Sequence, residues 1–131
     1  MDSYTPKIRV GIFGGAGYTG GELIRLLVHH PEAEVVFVNS ESHAGKAVTD
    51  VHEGLYGDTD LLFTADPLWT ETDVTFFCFG HGKSAAFLAE HSIPNSIKII
   101  DLAQDFRLAA PENDYVYGLP ELNRASIATA R

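Results

Sequence analysis

Cysteine is almost missing from this chain. A single thiol, Cys78, stands among 131 residues, which excludes an internal disulfide framework and fits a reducing compartment. Positive charge is also scarce: 9 lysines and arginines face 18 acidic residues, leaving a formal net charge of -9. That balance lacks the electrostatic footprint a nucleic-acid backbone or an anionic membrane would require. No apolar run approaches the roughly 18 residues of a membrane helix, and Met1 to Lys7 lack the apolar core of a signal peptide, so a soluble, cytoplasmic protein is expected. No internal repeat, low-complexity tract or linker divides the chain. The 6 histidines include no i, i+4 pair with an acidic partner, and His29 and His30 are adjacent and so diverge on a helix; no metal site is expected. What is present is 45% hydrophobic and 21% charged content, enough for one globular domain with a buried core.

The apolar residues fall into short runs. Ile8, Val10, Ile12 and Phe13 form a run that ends at glycines and reads as a buried strand. A helix follows, with Thr19 and Glu22 at capping-box spacing and an apolar stripe of Leu23, Ile24, Leu26 and Leu27 that Pro31 stops. Val35 to Val38, Val74 to Phe79 and Ile97 to Leu102 are apolar nearly throughout, as strands buried on both faces are. Lys83 to His91 reads as a crossover helix between the last two. From Ser40 to Thr72, Gly45, Gly54, Gly57 and Pro67 interrupt the pattern; loops are expected, with a short helix near Ala44 to Thr49 and a strand only at Leu61 to Thr64. From Pro111 onward the rhythm fades, and Ile127 to Arg131 offers no closing element, so the end reads as cut rather than finished. Alternating strands and helices imply an α/β fold with a mostly parallel, doubly wound sheet and flanking helices.

Gly15, Gly17 and Gly20 satisfy G-x-G-x-x-G, extended backwards by Gly14 and Gly11. Between a strand and a helix, such a turn lets a backbone approach an anion at the helix N-terminus, as dinucleotide pyrophosphates require. The other reading is a turn that serves only strand-to-helix geometry. About 20 residues further on, where ribose-recognising side chains are expected, stand Asn39, Ser40, Glu41 and Ser42. A carboxylate there suits a ribose 2'-hydroxyl and serine hydroxyls suit a 2'-phosphate, so Glu41 and the serines point in opposite directions, and Glu41 also reads as a solvated loop carboxylate.

The stretch Val10-Gly-Ile-Phe-Gly-Gly-Ala-Gly-Tyr-Thr-Gly-Gly-Glu-Leu23 resembles the opening of N-acetyl-gamma-glutamyl-phosphate reductases, and its Gly17-Tyr18-Thr19-Gly20 core is more specific than the glycines alone. Three further stretches match in order: His81-Gly82, Asp101-Leu102-Ala103-Gln104-Asp105-Phe106-Arg107-Leu108, and Tyr117-Gly118-Leu119-Pro120-Glu121-Leu122-Asn123. The resemblance runs from about Lys7 to the last residue and implies a Rossmann-like NAD(P)-binding domain spanning residues 1–131. On the same resemblance, the family's second, catalytic and dimer-forming domain is expected to lie outside these residues. It also implies arginine-pathway chemistry similar to that of aspartate-semialdehyde dehydrogenases. A cysteine thiolate attacks an acyl phosphate, phosphate leaves, and hydride from NADPH turns the thioester into a semialdehyde. The family's cysteine follows an Asn-Pro-Gly segment that this sequence lacks. Cys78, inside Phe76-Phe77-Cys78-Phe79, reads as an inert core thiol, so no catalytic residue is assigned within the chain. The sequence departs from the family at Glu41, where arginine is frequent, at Gly80, where proline is usual, and at Ala103, where serine is usual.

The resemblance assigns the cofactor, NADP with NAD open because of Glu41, to Gly14, Gly15, Gly17, Tyr18, Thr19, Gly20, Ser40, Glu41, Ser42, Gly80, His81 and Gly82. His81 reads as a contact to the cofactor or as a solvated turn residue. Arg107 is the candidate grip on an anionic acyl-phosphate substrate, since a guanidinium offers fork geometry; the competing reading is an ion pair with Asp101 or Asp105. A small-molecule substrate and a homo-oligomeric intact enzyme are the implied partners. Two other functions fit the same features: a non-catalytic dinucleotide-binding or protein-interaction module, and a complete small enzyme using another adenosine cofactor, such as one for methyl transfer.

Overall fold

The computed structural model describes residues 5–108, 110, 111 and 113–130. Five strands form one sheet: β1 (Ile8–Phe13), β2 (Ala33–Asn39), β3 (Phe63–Thr64), β4 (Val74–Phe77) and β5 (Lys98–Asp101), in the spatial order β3-β2-β1-β4-β5. Every pairing is parallel, so the strands' C-terminal ends share one edge. Helices α1 (Tyr18–Leu27), α2 (Val48–Val51), α3 (Lys83–Glu90) and α4 (Pro120–Ala128) complete the fold. Chain order reverses between β1 and β4. In open α/β sheets that reversal opens the crevice where ligands bind.

Two cores lie on the sheet. Val10, Ile12 and Val38 pack with Ile24 of α1, Val48, Leu55 and Phe63 in one cluster, while Phe13, Phe37 and Phe77 pack with Phe87 of α3 and Trp69 in the other. Alternation along the strands sends Ile12 to one cluster and Phe13 to the other. Phe13 meets Phe37 and Phe77 edge-on at 5.5 and 5.6 Å between ring centroids, the arrangement aromatic quadrupoles favour. Phe37 lies so close over β1 that a Cβ on Gly11 would come within 2.2 Å of its ring. The register between β1 and β2 shifts at Val10 and Gly11, leaving Val36 as the extra residue.

Several expectations change at the element ends. The Thr19 and Glu22 capping box does not form: Gly17 is the N-cap with no side-chain bond, and Glu22 instead pairs with Arg25. Helix α1 stops at Leu27, four residues before Pro31, with Leu26 largely exposed rather than on the apolar stripe. Strand β4 ends at Phe77, before Cys78 and Phe79. Strand β5 is not buried on both faces, because it forms the sheet edge and leaves Ile100 43% exposed. The short helix begins at Val48 rather than near Ala44.

The tail also carries an element that its sequence hid. Helix α4 starts on Pro120, whose missing N–H costs nothing in the first turn, and departs from helical angles at Asn123. It buries no residue, so it shows no apolar stripe to read. Arg131 and Met1 to Tyr4 lie outside the described residues. Among the described residues, no helix is long and apolar enough to cross a membrane, and no cluster of three or more metal-ligating side chains occurs.

Candidate dinucleotide site

The glycine turn joins β1 to α1 at the β1/β4 reversal. Gly14 sits at a φ of +71°, in the left-handed region. A Cβ there would lie 2.5 Å from the Cys78 carbonyl oxygen, so only glycine lets the turn cross the start of the loop after β4. Gly15 donates its N–H to the Asn39 carbonyl at 3.2 Å, which brings the end of β2 against the turn. Gly20 packs on the turn from the helix side, where a Cβ would meet the Gly14 carbonyl at 2.6 Å. Gly17 differs from these three: its φ of -81° suits any residue, and a Cβ would approach only the Gly14 carbonyl, at 3.8 Å. Tyr18 and Thr19 are exposed beside it. The helix therefore opens on a bare N-cap with no acidic residue in its first turn, an arrangement that favours an anion.

At the end of β2, Asn39 is buried, and its side-chain amide donates to the Thr64 and Ala65 carbonyls, both at 3.1 Å. Ser40 and Ser42 converge on His43 Nδ1 at 3.1 and 2.9 Å, which gathers the Ser40 to His43 turn around one ring. Glu41 is exposed within that turn. His43 carries no signal in the sequence, since a histidine beside two serines belongs to no motif.

The loops after β4 and β5 are fastened together. Gly82, at φ +84°, caps α3, and its N–H donates to Asp105 Oδ1 at 2.6 Å while the Ala85 N–H donates to Oδ2 at 2.9 Å. These backbone donors hold the Asp105 carboxyl below its ordinary range. The Gln104 N–H donates to His81 Nδ1 at 3.1 Å, and Ser84 donates its hydroxyl to Asp101 Oδ1 at 2.9 Å. Asp101 Oδ1 also accepts the Ala103 N–H, while Oδ2 is buried without a partner among the described residues. Phe106 stacks on Tyr115 with ring centroids 4.5 Å apart.

Arg107 is exposed at the junction of two clefts. One, of about 760 Å³, lies against His81, Gly82 and Asp105. The other, of about 780 Å³, runs between β5 and α4 past Leu102, Phe106, Tyr117, Leu119 and Ile127. Neither Asp101 nor Asp105 forms an ion pair with Arg107 among the described residues; both oxygens of Asp105 instead accept backbone N–H groups, and Oδ1 of Asp101 accepts the Ser84 hydroxyl and the Ala103 N–H.

Cys78 is half-buried against the core. Burial first, and then the charge of Asp101, push its thiol up to about 11. Both effects disfavour the thiolate, the reactive form of a cysteine.

A parallel sheet with its strand reversal beside a glycine turn and a bare helix start is the architecture of a dinucleotide-binding domain. The chain belongs to the semialdehyde dehydrogenase family: residues 9–130 match the family model described as semialdehyde dehydrogenase, NAD binding domain. Similar proteins include the N-acetyl-gamma-glutamyl-phosphate reductase of Bacteroides fragilis, 57% identical over 124 residues, and that of Parabacteroides distasonis, 56% identical over 124 residues. Each alignment covers 95% of this chain and 38% of the relative, so the chain spans less than two fifths of their length. Among solved structures, aspartate semialdehyde dehydrogenase II of Vibrio cholerae complexed with ASA superposes with a TM-score of 0.65 at 22% identity, covering 93% of this chain and 38% of that one. The Candida albicans aspartate semialdehyde dehydrogenase with NADP gives 0.61 at 22% identity, covering 77% and 31%. At that identity the likeness is one of fold.

Proposed function

We propose that this chain is the NADP-binding domain of an N-acetyl-gamma-glutamyl-phosphate reductase, an enzyme that reduces an N-acyl-glutamyl 5-phosphate to the 5-semialdehyde. The observation that carries the reading is the bare, glycine-capped start of α1 at the β1/β4 reversal, in a chain 57% identical to a reductase of that name. The residues present fit a dinucleotide. Gly14, Gly15 and Gly20 shape the turn, and Gly17, Tyr18 and Thr19 present the helix start to the pyrophosphate. The Ser40 to Ser42 turn flanks the adenosine ribose, and Gly80 to Gly82 close the opposite side of the crevice. Bound there, the dinucleotide supplies hydride.

Within this domain the remaining work is orientation. Asp105 and His81 hold the loop after β5 against the loop after β4, and this supports Arg107 as the grip on the substrate's phosphate, a role suited to a planar guanidinium. On this reading Cys78 is not the nucleophile, since burial and the nearby Asp101 charge disfavour its thiolate, and the acyl-accepting thiolate comes from the second domain that the family resemblance implies. The test is a pair of assays. The 131-residue chain should bind NADP without oxidising NADPH in the presence of N-acetylglutamyl 5-phosphate, and a chain extended to the relatives' length should do both. Turnover by the 131-residue chain that disappears in Cys78→Ser would overturn the assignment.

A further inference from the structure

We propose that His52 is the positioning residue of the glycine loop, and that Gly21 is a glycine because the His52 ring occupies the place of its side chain. The proposal rests on reading that loop as a dinucleotide site.

The backbone of His52 is fixed from both sides. Its N–H donates to the Val48 carbonyl at 2.9 Å, closing α2, and its own carbonyl accepts the Leu55 N–H at 3.0 Å. The ring reaches out from this junction, half-buried, near the edge of Phe63 with centroids 6.4 Å apart. Its Nε2 lies 2.6 Å from the Gly15 carbonyl oxygen. A carbonyl only accepts, so Nε2 carries the proton and donates, which leaves Nδ1 bare in the neutral ring. The same ring closes over α1: a Cβ on Gly21 would lie 2.5 Å from His52 Nδ1 and 2.6 Å from Cε1. Gly21 lies outside the G-x-G-x-x-G pattern, and this contact gives its residue type a physical reason.

The consequence for the loop follows from the peptide group. A trans peptide is planar, with its carbonyl and N–H pointing opposite ways. Drawing the Gly15 oxygen toward His52 turns the Ala16 N–H away from His52. That N–H makes no hydrogen bond among the described residues. The Gly15 and Gly17 N–H groups stay held by Asn39 and Gly14, so without the imidazole it is the orientation of the Gly15–Ala16 peptide that loses its restraint and must be fixed again when an anion binds. His52 therefore presets one donor of the loop for the pyrophosphate, although it lies 37 residues along the chain and outside any nucleotide motif.

The test has two arms. In the ligand-free 131-residue chain, imidazole ¹⁵N shifts should show the Nε2-protonated tautomer of His52; the Nδ1-protonated tautomer would overturn the proposal even if no variant folds. Calorimetric titration with NADP then compares wild type, His52→Phe and His52→Gln, each alongside a urea melt. Phenylalanine keeps the ring and loses the donor, while glutamine carries an amide N–H at similar reach. His52→Phe should weaken binding about fivefold to tenfold, the worth of one hydrogen bond. His52→Gln should recover most of that loss. Equal affinity in wild type and a folded His52→Phe would sink this inference alone. No saturable binding by wild type would sink the nucleotide reading as well.

Discussion

The glycines of the turn should separate by experiment into those that build it and one that receives the ligand. Gly14→Ala places a Cβ 2.5 Å from a backbone carbonyl at a φ of +71°. The left-handed conformation costs an L-residue about 1 to 2 kcal/mol, and the overlap with immovable backbone adds about 1 to 3 kcal/mol. The sum of about 2 to 5 kcal/mol should lower the urea midpoint by about 1 M or more. Gly17→Ala meets nothing closer than 3.8 Å at an ordinary φ. Its stability should change by less than about 1 kcal/mol, since losing glycine at the cap and restricting the unfolded chain offset each other. Its NADP affinity should nevertheless fall about tenfold or more, because a methyl group at the helix start displaces the anion from one or two charge-assisted bonds. Urea melts and calorimetry on the two variants read both quantities. A Gly14→Ala chain as stable as wild type would refute the packing argument. A Gly17→Ala chain that binds like wild type would refute the placement of the pyrophosphate.

Other outcomes follow from the same geometry. Cys78→Ser should leave NADP binding unchanged, and the wild-type thiol should react slowly with iodoacetamide at pH 8, where a free cysteine reacts readily. Because burial raises the folded-state Cys78 value from 9.0 to about 11, the protonated thiol's contribution is complete below pH 9 and is lost as pH rises toward 11; Cys78→Ser should reduce the loss of stability across that window. Asp105 runs the other way: its carboxyl is held below 3.8 by the Ala85 and Gly82 N–H groups, so its contribution is present above that value and lost as pH falls below it. Asp105→Asn should flatten the acid limb of the stability profile, leaving the parts due to Asp73 and Glu22, whose carboxyls Arg9 and Arg25 lower. Glu41→Arg should raise the affinity for NADP relative to NAD, measured by titrating both, because a fork-shaped cation would replace a like charge where the 2'-phosphate is proposed to sit. In a chain of the relatives' length, Arg107→Lys should lower kcat/KM for the acyl phosphate while the protein stays folded; unchanged kcat/KM would remove Arg107 from the site.

Strands were legible because each is a short apolar run, although the two-sided burial such runs suggest fails at the edge strand β5, and the glycine turn was legible because its spacing reflects steric limits that hold at Gly14, Gly15 and Gly20. The rest was hidden for particular reasons. Helix α4 buries nothing, so its sequence has no periodic stripe and only Pro120 marks its start. Thr19 and Glu22 have the spacing of a capping box, but the helix begins at Tyr18 and places Thr19 inside its first turn. Asp105 was visible as a residue of a matched segment and as a candidate partner of Arg107, but not as the loop fastener it is, because its bonds to Gly82 and Ala85 span 23 and 20 residues. His43 and His52 act through single ring nitrogens on neighbours that only the fold supplies.

The central claim, that the glycine turn at the β1/β4 reversal is the dinucleotide site, is tested most directly by following backbone amide shifts of the ¹⁵N-labelled 131-residue chain during titration with NADP. Saturable shifts should concentrate at Gly14 to Gly20, Ser40 to Ser42 and Gly80 to Gly82. Saturable shifts confined to other surfaces, or none at millimolar nucleotide, would contradict it.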